Sequence, residues 1–238
     1  MASYQARQRD PLLDQSVQAA LERRGKELLG LCLLGAGVLT ALLLISYSPD
    51  DPSWLAATDA PAKNLLGRFG ASLASPLFVI AGYGAWGAAL IPAAWGLRFL
   101  SHRGTERALN RAIFAPIAVA AVSVYASTLV AGRGWDHSFG LGGLFGDTVL
   151  GALLGILPIA GPVGFKLLSL LMAVAALALT TFAAGIDRRE LAAGLRFLLT
   201  GTVMTYAWIA HAAGRGAFAT VRGAQTLAEG ARDRRALA

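Results

Sequence analysis

Residues 28–46 run for 19 positions without a charge and are rich in leucine. At 1.5 Å per residue this is about the length needed to cross the hydrocarbon of a bilayer. A segment of that kind has no water to satisfy its backbone, so it crosses as a helix. Three further stretches repeat the pattern: 76–97 is uncharged up to Arg98, 112–132 carries no charge, and 167–186 lies between Lys166 and Asp187-Arg188-Arg189. With 55% of residues in the AVILMFWYC set, 15% charged and a mean hydropathy of +0.56, an ordinary soluble domain is excluded. The fold class is all-α integral membrane, with four transmembrane helices at about 28–47, 76–98, 112–132 and 166–186 forming a membrane domain over 28–186.

The segments between the runs are equally informative. Residues 1–27 mix Arg7, Arg9, Arg23, Arg24 and Lys26 with four carboxylates. They are too polar and too long for a secretory leader, and 14–26 has the composition of a polar helix. Ala62 to Ser75 carries Lys63 and Arg68 among apolar residues and reads as a short amphipathic helix against the bilayer or the bundle. The stretch 145–157 is apolar but too short to cross. With Gly146-Asp147-Thr148 as its start, and Asp147 placed to cap it, it is expected as a short re-entrant or interfacial outward helix over 146–158. Residues 191–213 are apolar except for Arg196.

Charge distribution orients the chain. With four spans, the N-terminal segment, the 98–111 turn and the region after the fourth span share one side and hold 17 of the 21 Lys and Arg residues. The excess of +7 is therefore first a topology signal, with both termini cytoplasmic. A fifth span over 191–213 would export Arg215, Arg222, Arg232, Arg234 and Arg235. Residues 187–238 are accordingly expected as a cytoplasmic juxtamembrane helix followed by a basic tail, with Arg196 and His211 toward water or headgroups.

Little in the chain points to catalysis. A phosphate cradle needs Gly, four residues, then Gly-Lys-Ser/Thr, and no such string occurs. Gly161-Pro162-Val163-Gly164-Phe165-Lys166 has the wrong spacing. His102, His137 and His211 lie in different segments, and Cys32 is single, so neither a metal site nor an internal disulfide is expected. Cys32 reads as a small buried hydrophobe. The pairs Asp50-Asp51 and Asp136-His137 fall in outward loops as solvated or capping groups. No ionisable residue sits near the middle of a span, which argues against a transporter, a pump or an intramembrane protease. The rival reading is a small channel or transporter subunit built around the glycine-rich re-entrant helix. Small residues recur at four-residue spacing (Gly84 and Ala88, Gly142 and Gly146, Gly151 and Gly155, Ala176, Thr180 and Ala184), as expected where backbones approach closely in lipid.

Three strings stand out within this topology. Ser46-Tyr47-Ser48-Pro49-Asp50-Asp51-Pro52-Ser53-Trp54 closes the first span, Asn64-Leu65-Leu66-Gly67-Arg68-Phe69-Gly70-Ala71 precedes the second, and Gly140, Gly142, Gly143 and Gly146 lead into the short helix. Over about residues 28–186 they resemble the N-terminal membrane region of FtsK/SpoIIIE-type DNA translocases. Ser46, Tyr47, Ser48, Pro49, Asp51, Pro52, Ser53, Trp54, Asn64, Gly67, Gly70, Gly143 and Gly146 are the residues that carry the likeness. The resemblance implies a four-helix anchor in the bacterial inner membrane at the division septum. It implies self-association as a hexamer and contact with other division proteins. DNA would be engaged only indirectly, through a cytoplasmic ATPase motor whose Walker motifs are not found in these 238 residues, and no cofactor is implied. The chain is then either a membrane-domain fragment or a stand-alone anchor. The basic tail could alternatively serve as a DNA-binding arm.

Overall fold

The computed structural model describes residues 14–157, 161–206, 208 and 211. All regular structure among them is helical. The described residues of the first of two compact units, which ends at Ile186, form seven α-helices: α1 Gln15–Ile45, α2 Gly67–Ala81, α3 Trp86–Leu100, α4 Ala108–Ala112, α5 Ala115–Ser127, α6 Gly143–Ile156 and α7 Gly161–Ala183. Three helical runs are long and apolar enough to cross a membrane, and α4 with α5 makes a fourth if that bent pair is one span.

The helix bounds differ from the expected spans in instructive ways. The first span was expected at 28–47, with a separate polar helix before it; the two are one helix, α1. No proline interrupts the junction, and Lys26–Glu22, Arg23–Glu27 and Arg24–Glu27 pairs brace its polar turns at helical spacing. The second span was expected at 76–98, after an amphipathic helix over 62–75. Residues 62–66 are instead irregular, and helix runs from Gly67 through Pro76, then through a 3-10 turn at Gly82–Ala85 into α3. Proline is tolerated inside helices of this kind because packed neighbours compensate the lost bond.

The third span, expected at 112–132, begins earlier and ends at Ser127, with a 55° bend between α4 and α5. Pro116 causes it: the proline has no N–H for the carbonyl four residues back, Ala112, the last residue of α4. The fourth span, expected at 166–186, is α7 over 161–183, opened by Gly161 and Pro162 in the positions where these residues start helices. The short helix expected at 146–158 is α6 over 143–156, and Pro158 lies outside the described residues.

Two antiparallel pairs build the bundle. In α1 and α3, Gly30 lies against Gly96 and Phe99, and seven residues on Gly37 lies against Ala89 and Ala93. A methyl group at Gly37 would come within 2.7 Å of the Ala89 carbonyl, so the seam depends on backbones in near contact. In α5 and α7, Phe114 meets Phe182 edge to face, and Thr128, just past α5, hydrogen-bonds Ser169 at 2.7 Å. Cys32 points outward from α1, correcting the expectation that it is buried; an unpolar thiol is as well suited to lipid as to a core. Gly151 and Gly155 have no neighbour near their Cα positions, unlike Gly84, Gly142 and Gly146.

The second unit, described by itself, is helical over 188–206 with exposed side chains, Arg196 and His211 among them. Residues 207, 209, 210, 212 and 213 of the expected juxtamembrane helix lie outside the described residues. So do Arg7, Arg9, Arg215, Arg222, Arg232, Arg234 and Arg235.

Candidate functional site

The resemblance-bearing residues converge on one end of the bundle, where α1 ends and α2 and α6 begin. Asp51 is the centre. Both of its carboxylate oxygens accept backbone N–H groups at 2.9 Å, Oδ1 from Lys63 and Oδ2 from Asn64. It is only 3% exposed, so the expectation of a solvated aspartate is corrected for Asp51. Asp50 alone keeps that character, its carboxylate exposed and 4.0 Å from Lys63. The backbone after Ala62 needs acceptors because it has left regular structure, and a buried N–H without one is costly.

Asn64 continues the lock. Its Nδ2 donates to the carbonyls of Leu43 at 2.8 Å and Ser46 at 3.3 Å, while its Oδ1 accepts from the Leu66 N–H. The carbonyls lie at the C-terminus of α1, where helix geometry leaves acceptors unfilled. Ser46 Oγ donates to Leu42 O and accepts from Leu65 N–H. A side chain at Gly70 would collide with the Asn64 amide, and Gly67 turns at φ +62° to open α2. The loop between these anchors is held by Ser53, whose hydroxyl accepts from Leu55 and Ala56, and by an Asp51 N–H to Ser48 O bond. Pro52 is buried, and Trp54, 79% exposed, projects from the surface.

A second lock joins α5 to α6. Asp147 was expected to cap α6 but stands inside it, and its carboxylate reaches back to accept from Ser127 Oγ at 2.7 Å and Gly140 N–H at 2.6 Å. Ser123, fully buried, donates to the carbonyls of Ala81 and Val119. The 3-10 turn crosses the glycine loop here: Tyr83 N–H donates to Leu141 O at 2.8 Å, and Gly82 and Gly143, both at positive φ, face one another with no room for a side chain on either.

Between the locks lies an aromatic cluster. Tyr47 packs on Phe78 with ring centroids 4.5 Å apart, Trp135 contacts Phe78 and Tyr83, and His137 stacks on Phe139 and meets Trp135 edge to face. Trp135 Nε1 donates to Phe139 O. Burial holds the His137 imidazole below its ordinary pKa, a shift that the neighbouring Asp136 carboxylate opposes. The solvated turn expected for Asp136-His137 is thus corrected at His137, whereas Asp136 is exposed.

The loop-end residues that sequence reasoning missed as a group are Ser123, Ser127, Asp147, Phe78 and Trp135. One signal was available, since Asp147 is the single charge in the apolar stretch 143–157. Among the described residues no three His, Cys, Asp or Glu side chains come together as a metal site. The buried side chains of Asp51, Asn64, Ser123 and Thr128 are bound to backbone or to another side chain, an arrangement that holds shape.

Comparison with known proteins supplies the context. Residues 22–215 match the family model for the 4TM region of DNA translocase FtsK/SpoIIIE. The DNA translocase FtsK of Azospirillum brasilense is 32% identical over 196 residues, which is 82% of this chain and 31% of that protein. That of Bradyrhizobium diazoefficiens is 32% identical over 178 residues, 75% of this chain and 22% of the relative, and that of Mesorhizobium japonicum is 35% identical over 138, 53% and 15%. The chain thus spans less than a third of the length of these relatives. No solved structure matches it.

Proposed function

Because this chain belongs to the family of the FtsK/SpoIIIE membrane region, and is therefore a multi-pass membrane protein, we propose that it anchors a DNA translocase at the division septum. In this reading both termini are cytoplasmic, the loop end faces outward, and protomers associate into a ring. The spans fix position and the loop end meets other division proteins. Motor and DNA are engaged only through sequence the relatives carry beyond this region.

The observation that supports an anchor most directly is the use made of buried polar groups at the loop end. The buried Asp51, Asn64 and Ser123 and the half-buried Asp147 all bind neighbouring segments of the same chain, which fixes a surface. From that surface Trp54 projects, of a residue type that commonly anchors protein contacts. In cells carrying a fluorescent fusion, septal enrichment is expected; uniform membrane fluorescence would refute the tethering role. Trp54→Ala should fold normally yet lose septal enrichment. If that variant localises like the unaltered chain, the loop is not the contact surface.

A further inference from the structure

The bend at Pro116 has a second consequence. It leaves a lateral cleft of about 600 Å³ between the α1–α3 seam and the α4–α5 pair. Every residue lining it is apolar: it runs from Gly87 and Val119 past Ile91 and Trp95 to Phe99 and Leu109. Its volume falls in the range of specific ligand pockets. Because it opens on the side of the bundle, whatever enters comes from the bilayer.

One end of this cleft is strongly basic. Ala108 lines the cleft, and Arg107 is the residue before it, in the same turn as Arg103. Arg103 and Arg107 are exposed and form no ion pair among the described residues. On α1, two residues before Leu29 of the cleft lining, Glu27 is already engaged by Arg23, Arg24 and His102. Two exposed guanidinium groups without an ion pair among the described residues are thus carried by the turn that leads into Ala108, at one end of an entirely apolar slot.

We propose that this cleft holds an acyl chain of an anionic phospholipid whose phosphate is bound by Arg103 and Arg107. The pattern of one long apolar surface and one cationic end matches a lipid with a charged head. A helix of a second copy fits less well, since copies in one membrane carry the same basic turn at the same depth and would set cation against cation.

The test is native mass spectrometry of the purified chain in detergent with equal amounts of phosphatidylglycerol and phosphatidylcholine. Retention of one phosphatidylglycerol with a preference of roughly tenfold is expected, since each arginine near the surface contributes on the order of tenfold or less. In an R103Q/R107Q variant that preference should fall to within about twofold of none. Ala112→Leu and, independently, Ala88→Leu fill the slot and should cut retention of both lipids while gel filtration and helicity stay unchanged. Equal retention of the two lipids by the unaltered chain would overturn the proposal, as would a preference that survives the loss of both arginines. So would filled variants that keep their lipid but lose self-association, which assigns the cleft to a second copy instead.

Discussion

The two ends of the bundle are secured by different means. At the loop end, carboxylate and amide side chains bind the backbone of irregular segments, and the groups involved are buried or half-buried: Asp51 on Lys63 and Asn64, Asn64 on Leu43 and Ser46, and the half-buried Asp147 on Gly140. At the opposite end, long cationic and aromatic side chains reach carbonyls at the end of α7 and just beyond it. Trp95 Nε1 donates to Ala183 O at 2.7 Å, Arg98 Nε to Ala184 O at 3.2 Å, and Arg111 to Ile186 O at 3.5 Å. Arg98 also lies over the Trp95 ring and Arg111 over Phe182. Cations there meet the negative end of the helix dipole. A buried anion among amides has no substitute when removed, whereas a cation at a helix end is partly replaceable by water.

This difference predicts an order of damage. Asp51→Ala leaves two backbone N–H groups of the loop without acceptors, so a loss of about 4 kcal/mol is expected, from charge-assisted bonds of roughly 1.5–3 kcal/mol each. Asp51→Asn, which retains one acceptor, should recover part of it. Thermal unfolding of the purified variants in detergent measures both. If Asp51→Ala unfolds like the unaltered chain, the loop end is not the more tightly specified one. Gly82→Ala places a methyl group against the backbone of Leu141–Gly143 at a residue of φ +54°. Backbone cannot step aside as a side chain can, so about 3 kcal/mol is expected from overpacking and strain together. An unchanged midpoint would mean that the glycine loop moves freely over the 3-10 turn.

The same contrast explains what the sequence made legible. Apolar runs found all four long or paired helical segments, because uncharged length is a local property. The first two of the three strings that carry the family likeness are neighbours, with Ser46, Asp51, Asn64, Gly67 and Gly70 in one hydrogen-bonded lock, whereas the glycine string packs on Ile80, Gly82 and Ser123. What could not be read was who binds whom. Asp51 looked solvated because its loop is polar, and only folding brings the Lys63 and Asn64 amides 12 and 13 residues onward to it. Asp147 satisfies the sequence rule for an N-cap, yet Gly143 at φ +70° starts the helix a turn earlier and leaves the carboxylate free for Ser127. The bend at Pro116 was signalled by the proline itself, but in an uncharged run the hydropathy signal outweighed it.

At the arginine end, Trp95→Phe deletes one buried hydrogen bond while keeping most of the ring contact with Phe99, 6.3 Å between centroids. A net bond of this kind is worth about 1 kcal/mol, rising toward 2 when its partner stays buried and unfilled. The expected loss is thus about 1–2 kcal/mol, below both loop-end variants, again read from the unfolding midpoint. A loss larger than that of Asp51→Ala would reverse the comparison and make the α3–α7 contact the principal clamp.

The smallest effect concerns His137, and it separates the ends by pH. Burial among Tyr47, Phe78, Trp135 and Phe139 favours the neutral imidazole, against the opposing pull of Asp136, so the folded pKa lies below the unfolded one. A depressed pKa means that the unfolded chain takes up the proton first as pH falls. The stability His137 contributes is therefore complete above the ordinary histidine range and declines on acidification through that range toward the lower folded value. The ring stack loosens at the loop end, whereas the contacts of Trp95, Arg98 and Arg111 with the carbonyls of Ala183, Ala184 and Ile186 involve no imidazole. Unfolding midpoints measured between about pH 5 and 8 should fall at the acid side for the unaltered chain and fall less for His137→Phe, which keeps an aromatic ring without a titrating group. Parallel curves for the two proteins would locate the acid sensitivity elsewhere and remove His137 from the loop-end account.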